Sequence, residues 1–225
     1  MKIEYLLFNL IIISGPLALS FDRRVRYVRN WGKAFLASFL TLIPFIIWDS
    51  LVTGRHWWFN HDYTLDIRIL GLPIAEWLFF ITVPFACLFI WEIITYFRPK
   101  AEIKLFDNLR LLWFLVMPFA IWLFVSGKEY TGIVLVAISI VSLLDKFLKT
   151  NIIPDRRAYI LFAILIGLML VFNGYLTARP VVLYDPSYQL DFRIITIPIE
   201  DFIYGVSHIL LTVIVYTKIK GRARG

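Results

Sequence analysis

Three carboxylates sit where proton chemistry could be done. Pro73 is followed within one helical turn by Glu76, and Pro198 by Glu200 and Asp201. Proline suits the first position of a helix, where the N–H it lacks would be unpaired anyway. Both prolines therefore read as helix starts with acids in the first turn. Taken one at a time, such acids face the favourable end of the helix dipole and need no other role. Brought together and away from water they behave differently: a coupled set of carboxyls retains a proton, and a retained proton can serve as a general acid.

Other polar residues belong to the same layer. Asp49 and Asn173 lie at matching depth; an ionisable residue there is a functional candidate by default, with a structural pairing to Arg55 or Arg68 as the alternative. His208 follows Glu200 by two turns on one helical face and reads either as a packing histidine or as a catalytic one. Asp66 with Arg68, and Asp191 with Arg193, are expected to form ion pairs that shape two loops, and Glu92 to reach toward Arg98. Trp48, Trp77, Phe80, Phe202 and Tyr204 crowd the acid layer. Most of these rings suit a membrane-interface belt; any turned inward would stabilise a cation.

The elements that must position these groups follow from composition. The 225 residues are 60% hydrophobic and 17% charged, with 17% aromatic residues and a mean hydropathy of +0.77. A soluble core cannot absorb that much apolar surface, so a soluble enzyme, a disordered chain and a disulfide scaffold are excluded. The net charge of +7 has no soluble basic face to carry it, so nucleic acid is not an expected partner. The single cysteine, Cys87, lies in an apolar run and has no intrachain partner. Apolar runs predict seven membrane helices, at about 3–20, 34–53, 72–97, 106–126, 130–148, 157–176 and 196–217. Of the 23 Lys and Arg residues, Lys2, Arg55, Arg68, Lys128, Arg179 and Arg193 fall at one side, and the other 17 at the opposite side. That split predicts an external N-terminus and a cytoplasmic C-terminus.

The chain also resembles itself. Tyr63–Trp77 aligns without gaps on Tyr188–Phe202 at an offset of 125, with Tyr63/Tyr188, Leu65/Leu190, Asp66/Asp191, Arg68/Arg193, Ile69/Ile194, Pro73/Pro198 and Ile74/Ile199 identical. Upstream, Trp48–Arg55 aligns on Phe172–Arg179 at an offset of 124. The expected fold is an all-α polytopic membrane protein of two parallel three-helix repeats, residues 1–99 and 128–225. Residues 100–127 carry a linker helix, whose extra crossing restores the direction of the second repeat. Parallel repeats place equivalent residues around a shared centre.

No GxGxxG, P-loop or zinc-ligand spacing is present, so neither a nucleotide or flavin cofactor nor a metal is expected. The spacing Asp62…Asp66 has no repeat equivalent (Ser187…Asp191) and is treated as coincidental. A retinal protein needs a lysine at mid-membrane in the last helix; Lys218 and Lys220 lie at its end.

Pro198-Ile199-Glu200-Asp201, and Pro73-Ile74-Ala75-Glu76 with its first acid replaced by alanine, resemble the Pro-x-Glu-Glu/Asp signature of the small membrane-integral lycopene cyclases. The resemblance covers essentially the whole chain as a fused form with a linking helix. It implies a cofactor-independent isomerisation of a lipid-borne carotenoid in the cell membrane. An acid protonates the terminal double bond, the internal double bond attacks the cation, and proton loss closes an ionone ring, taking lycopene through γ-carotene to β-carotene. Glu76, Glu200 and Asp201 would be catalytic, and membrane lipid and other enzymes of the pathway would be partners. Two other classes fit part of the pattern. A small-solute transporter also uses a 3+1+3 parallel repeat, but concentrates its polar features at mid-membrane. A substrate-free scaffold for carotenoid enzymes would not need the acids.

Overall fold

The computed structural model describes residues 2–222, with the side chains of 108–111 and 222 left aside. The basic side chains of Arg110 and Arg222, residue Arg224, and the end of the expected second repeat at 225 thus lie outside what is described. The helices are α1 (Glu4–Leu19), α2 (Trp31–Val52), α3 (Ile74–Phe97), α4 (Lys104–Val125), α5 (Glu129–Phe147), α6 (Arg156–Ala178) and α7 (Ile199–Arg222). Each overlaps one expected apolar run. Five of them, α2, α3, α5, α6 and α7, are long and apolar enough to cross a membrane. The other two, α1 and α4, carry shorter apolar helices among the described residues. The 16 residues of α1 rise about 24 Å, short of the ~30 Å hydrocarbon core. In α4 the apolar helix found among the described residues is Leu112–Val125. Large apolar side chains point outward along the bundle, among them Leu51, Leu115, Val125 and Phe147. That is the surface of a membrane protein.

Six short strands cap one end of the bundle: β1 (Trp57–Phe59), β2 (Arg68–Ile69), β3 (Leu72–Pro73), β4 (Val182–Tyr184), β5 (Arg193–Ile194) and β6 (Ile197–Pro198). β1 and β4 pair antiparallel in the register Trp57↔Tyr184, Trp58↔Leu183, Phe59↔Val182. Trp58 and Leu183 are themselves 125 residues apart, so exchanging the halves maps this ribbon onto itself. The flanking bonds obey the same exchange: Asn60 N–H donates to Val181 O, and Asp185 N–H to His56 O, both at 2.9 Å. β2–β3 and β5–β6 are matching two-residue hairpins, Arg68 opposite Pro73 and Arg193 opposite Pro198. Tight two-residue turns need left-handed backbone. Leu70 (φ 53°) with Gly71 (φ 81°) provides it in one hairpin, and Ile195 (φ 61°) in the other. The hairpins hold Pro73 and Pro198 in extended strands, so α3 and α7 begin at the residue after each proline, and Pro73 caps its helix rather than opening it.

α1 packs on α3 and α5 on α7; α2 lies against both α3 and α7, and α4 covers α5. The contact between α4 and α5 is close because Gly132 has no side chain: an added Cβ would lie 2.7 Å from Ala120 O. At the end away from the strands, Glu92 is buried and accepts from Lys220 (2.5 Å), Tyr216 (3.0 Å) and Asn30 (3.2 Å). The expected reach to Arg98 does not occur, because α7 brings Lys220 to Glu92 from across the bundle.

Candidate functional site

The hairpins set where the first turns of α3 and α7 begin, and thereby where Glu76 and Asp201 point. Each is the third residue of its helix, and each is buried. α1 brings Tyr5 to Glu76, whose Oε2 accepts the phenol O–H at 2.5 Å. α5 brings Tyr130 to Asp201 in the same way, at 2.6 Å. Asp201 also accepts from Asn173 on α6 (2.8 Å) and from Tyr184 on β4 (2.7 Å). Asp49 on α2 is buried within side-chain hydrogen-bonding reach of Glu76, with the hydroxyl of Tyr204 at 3.4 Å from its Oδ1.

The two halves therefore present equivalent pairs with different chemistry. Asp49 and Glu76 are two carboxyls side by side. Their counterparts Asn173 and Asp201 are an amide and a carboxyl. Two carboxyls that share a buried site retain a proton, whereas an amide N–H donates to a carboxylate without one. Tyr184 belongs to the strand cap, and burial, then the nearby Asp201 carboxylate, push its phenol well above the ordinary tyrosine value. It is a neutral donor.

These groups close one end of a cavity of about 450 Å³. Asp49, Glu76, Asp201 and Asn173 line that end with the phenols of Tyr5, Tyr130, Tyr184 and Tyr204; below them the walls are apolar and aromatic. His208 lines the cavity beneath the acids, ring to ring with Phe45 (4.5 Å) and Phe80 (5.3 Å), its Nε2 without a hydrogen-bond partner.

The structure does not bring every expected residue to the chamber. Glu200 points away from it, fully buried. Its Oε1 accepts from Thr131 Oγ1 (2.6 Å) and from Leu190 N–H (2.8 Å), tying the second loop to α5. One turn position from Asp201 is enough to rotate it off the wall. Trp48 packs behind Tyr204 at 4.8 Å, Phe80 lies behind His208, Trp77 N–H holds Ile69 O at 3.1 Å, and Phe202 is buried outside the lining.

Of the two expected loop ion pairs, Asp191–Arg193 is present at 4.0 Å and Asp66–Arg68 is not. Lys2, which the start of α1 carries to the first loop, takes Asp66 at 2.6 Å, and Arg68 turns to His61, Thr64 and Gly71 O. Asp49 pairs with neither Arg55 nor Arg68. Arg55 binds Glu129 and lies over the Tyr188 ring; at the equivalent place Arg179 binds Glu4 and lies over the Tyr63 ring. Each half thus clasps the other at the rim. His56 completes one clasp at 3.0 Å from Glu129; burial lowers its pKa, with Glu129 pulling the other way.

Sequence reasoning missed Tyr5, Tyr130, Tyr184 and the Glu4 and Glu129 clasps. A signal for most of them was present: Glu4-Tyr5 and Glu129-Tyr130 are identical pairs at the same offset of 125. Among the described residues no group of three or more His, Cys, Asp or Glu side chains is arranged to hold a metal ion. No curated protein and no solved structure matches the chain. The sequence model described as lycopene cyclase matches residues 3–94 and 127–219, the two blocks that contribute Glu76 and Asp201. Matched over most of its length, this chain belongs to the lycopene cyclase family, enzymes that act on carotenoids.

Proposed function

We propose that the protein converts the acyclic ends of lycopene to β-ionone rings, by way of monocyclic γ-carotene to β-carotene, as an intramolecular lyase or isomerase that needs no cofactor. The observation that carries this reading is the acid pair Asp49–Glu76 facing the amide–acid pair Asn173–Asp201 at one end of an apolar chamber. The proton shared by Asp49 and Glu76 passes to the terminal C=C of the bound end. Its π electrons form the new C–H bond and leave a tertiary cation. The internal C=C attacks that cation, the six-membered ring closes, and the charge moves to a ring carbon. Asp201, which accepts three hydrogen bonds and so is arranged as a carboxylate, takes the neighbouring proton, and the ring double bond forms. One proton is gained and one lost; no electrons are exchanged. Ring faces of Tyr204, Phe79 and Trp57 beside the chamber suit a passing cation.

The proposal extends to the layout. All seven helices cross the membrane as two parallel three-helix repeats linked by α4, with the strand cap outside and the C-terminus cytoplasmic. The self-matching contacts of the cap and the split of basic residues support it. Lipid and other enzymes of the carotenoid pathway are its proposed partners. The family match lends nothing to a transporter.

The test is expression in lycopene-accumulating cells with chromatographic analysis of the pigments. Cyclised product is expected, and purified protein in lipid should form it without added flavin or nicotinamide. Lycopene left unchanged by well-folded protein would remove the reading.

A further inference from the structure

Although the halves are similar, the chamber is not. Three pairs of equivalent residues show where they part. Between α2 and α7, Thr41 and Thr212 share a hydrogen bond of 3.1 Å, Phe45 packs tilted against His208 at 4.5 Å, and Trp48 against Tyr204 at 4.8 Å. The counterparts between α6 and α3 are Leu165 with Cys87, Met169 with Val83, and Phe172 with Phe79. All six of these line the cavity, whereas of the first six only Tyr204 and His208 do. One side of the pseudo-symmetric bundle is shut by packing and the other is open.

The open side leads to the surface. α1 and α6 touch at the capped end, through Phe8–Phe172 (5.6 Å) and the Tyr175–Glu4 hydrogen bond. Beyond that contact Ile11, Gly15 and Leu19 both line the cavity and are exposed on the lipid-facing surface. From Tyr5 to Leu19 the lining of α1 runs about 21 Å along the helix axis. By contrast, α5 gives the cavity only Tyr130, and α2 only Asp49. A narrow apolar trench of that length, closed by carboxyls at one end and open to lipid along its side, matches one long linear polyene.

We propose that the protein holds a single one-sided slot walled by α1, α3, α6 and α7, which a carotenoid enters sideways from the membrane with one end toward the acids. The two ends of the substrate are then cyclised in separate visits, and the monocyclic product leaves before its other end reacts. This inference rests on the cyclase reading above.

Gly15 provides the test, because an added Cβ there meets nothing within 4 Å, so a larger side chain fills the slot without displacing the fold. Its counterpart Ile140 on α5 is exposed and is not part of this cavity's lining. In lipid vesicles carrying lycopene, Gly15→Phe should lower kcat/KM at least tenfold, and Ile140→Phe should stay within twofold of the wild type. Leu168→Trp, on the α6 wall, is a second block should Gly15→Phe fold poorly. Full activity in both blocked variants overturns the slot while leaving the cyclase reading intact; no cyclisation by the wild type removes both. Unlabelled monocyclic carotene added during turnover of labelled lycopene should dilute the label in any dicyclic product. Dicyclic product that keeps its full label would show that both ends react in one visit and overturn the proposal.

Discussion

Tyr5 donates its phenol to Glu76 across 71 residues of chain, and the same relationship, at the same separation, joins Tyr130 to Asp201. One contact made twice holds both acids at the end of the chamber, yet their surroundings differ. Glu76 has Asp49 beside it, and Asp201 has Asn173 and Tyr184. Tyr5 is the one phenol donor to Glu76 among the described hydrogen bonds, while Tyr130 is one of three donors to Asp201. Removing a hydrogen bond to a buried ionisable group costs about 1.5–3 kcal/mol, roughly a 10–100-fold effect. Tyr5→Phe should therefore reduce turnover more than Tyr130→Phe, and should shift the pH–rate profile, which a purely structural residue would not. Equal losses with unmoved profiles would assign both tyrosines to packing.

The amide series separates the chamber acids from Glu200. Asp49→Asn, Glu76→Gln and Asp201→Asn keep shape but remove a titratable proton, and each should cut turnover by about 10²-fold or more, the scale of general acid–base catalysis. Combined, their losses should fall far short of additive, since the groups act as a unit. Glu200→Gln should retain activity within a few-fold and lose thermal stability instead, because its carboxyl ties Thr131 to the Leu190 loop. Loss of turnover in Glu200→Gln equal to that of Glu76→Gln, at unchanged stability, would return Glu200 to the chemistry.

Glu92 is the control at the opposite end. It accepts from Lys220, Tyr216 and Asn30, so Glu92→Gln weakens a buried anchor between α3 and α7 by about 1–3 kcal/mol. Cyclisation per folded molecule should remain near that of the wild type, with a lower unfolding temperature in detergent.

His56 gives a pH dependence of stability. Burial holds its folded pKa below the unfolded value of 6.5. Below 6.5 the unfolded chain therefore binds more protons than the folded one, and stability falls as pH drops through 6.5 toward the folded pKa. Above that window the contribution is fully present. Thermal unfolding measured from pH 7.5 to 5 should show this loss, and His56→Gln should flatten it. An equally steep loss in the variant would trace the dependence to another group.

Orientation is open to labelling, because the one native thiol, Cys87, is buried. Cysteines placed at Asp62 and Asp185, on the two capping loops, should react with an impermeant reagent in intact cells. Reaction only after lysis would put the cap and the acids at the cytoplasmic side.

Much of this was legible along the chain. Long apolar runs leave a membrane helix few alternatives, since backbone polar groups in lipid must be paired within the segment, and all seven helices fall on such runs. The duplicated Asp-x-Arg and Pro segments announced two equivalent loops, and these became the β2–β3 and β5–β6 hairpins. Depth was legible as well: Asp49, Asn173, Glu76 and Asp201 meet in one layer as their positions along the helices imply. What the chain could not decide is direction around a helix axis and partner across it. Glu200 and Asp201 are neighbours in sequence, yet about 100° of helical rotation sends one to Thr131 and the other to the chamber. Lys2 takes Asp66 from Arg68, and Lys220 takes Glu92 from Arg98, because each arrives from a helix remote in sequence. Above all, near-symmetry in sequence concealed an asymmetric cavity. Thr41, Phe45 and Trp48 shut one side where Leu165, Met169 and Phe172 leave the other open, and only side chains packing in three dimensions determine which side of a bundle closes.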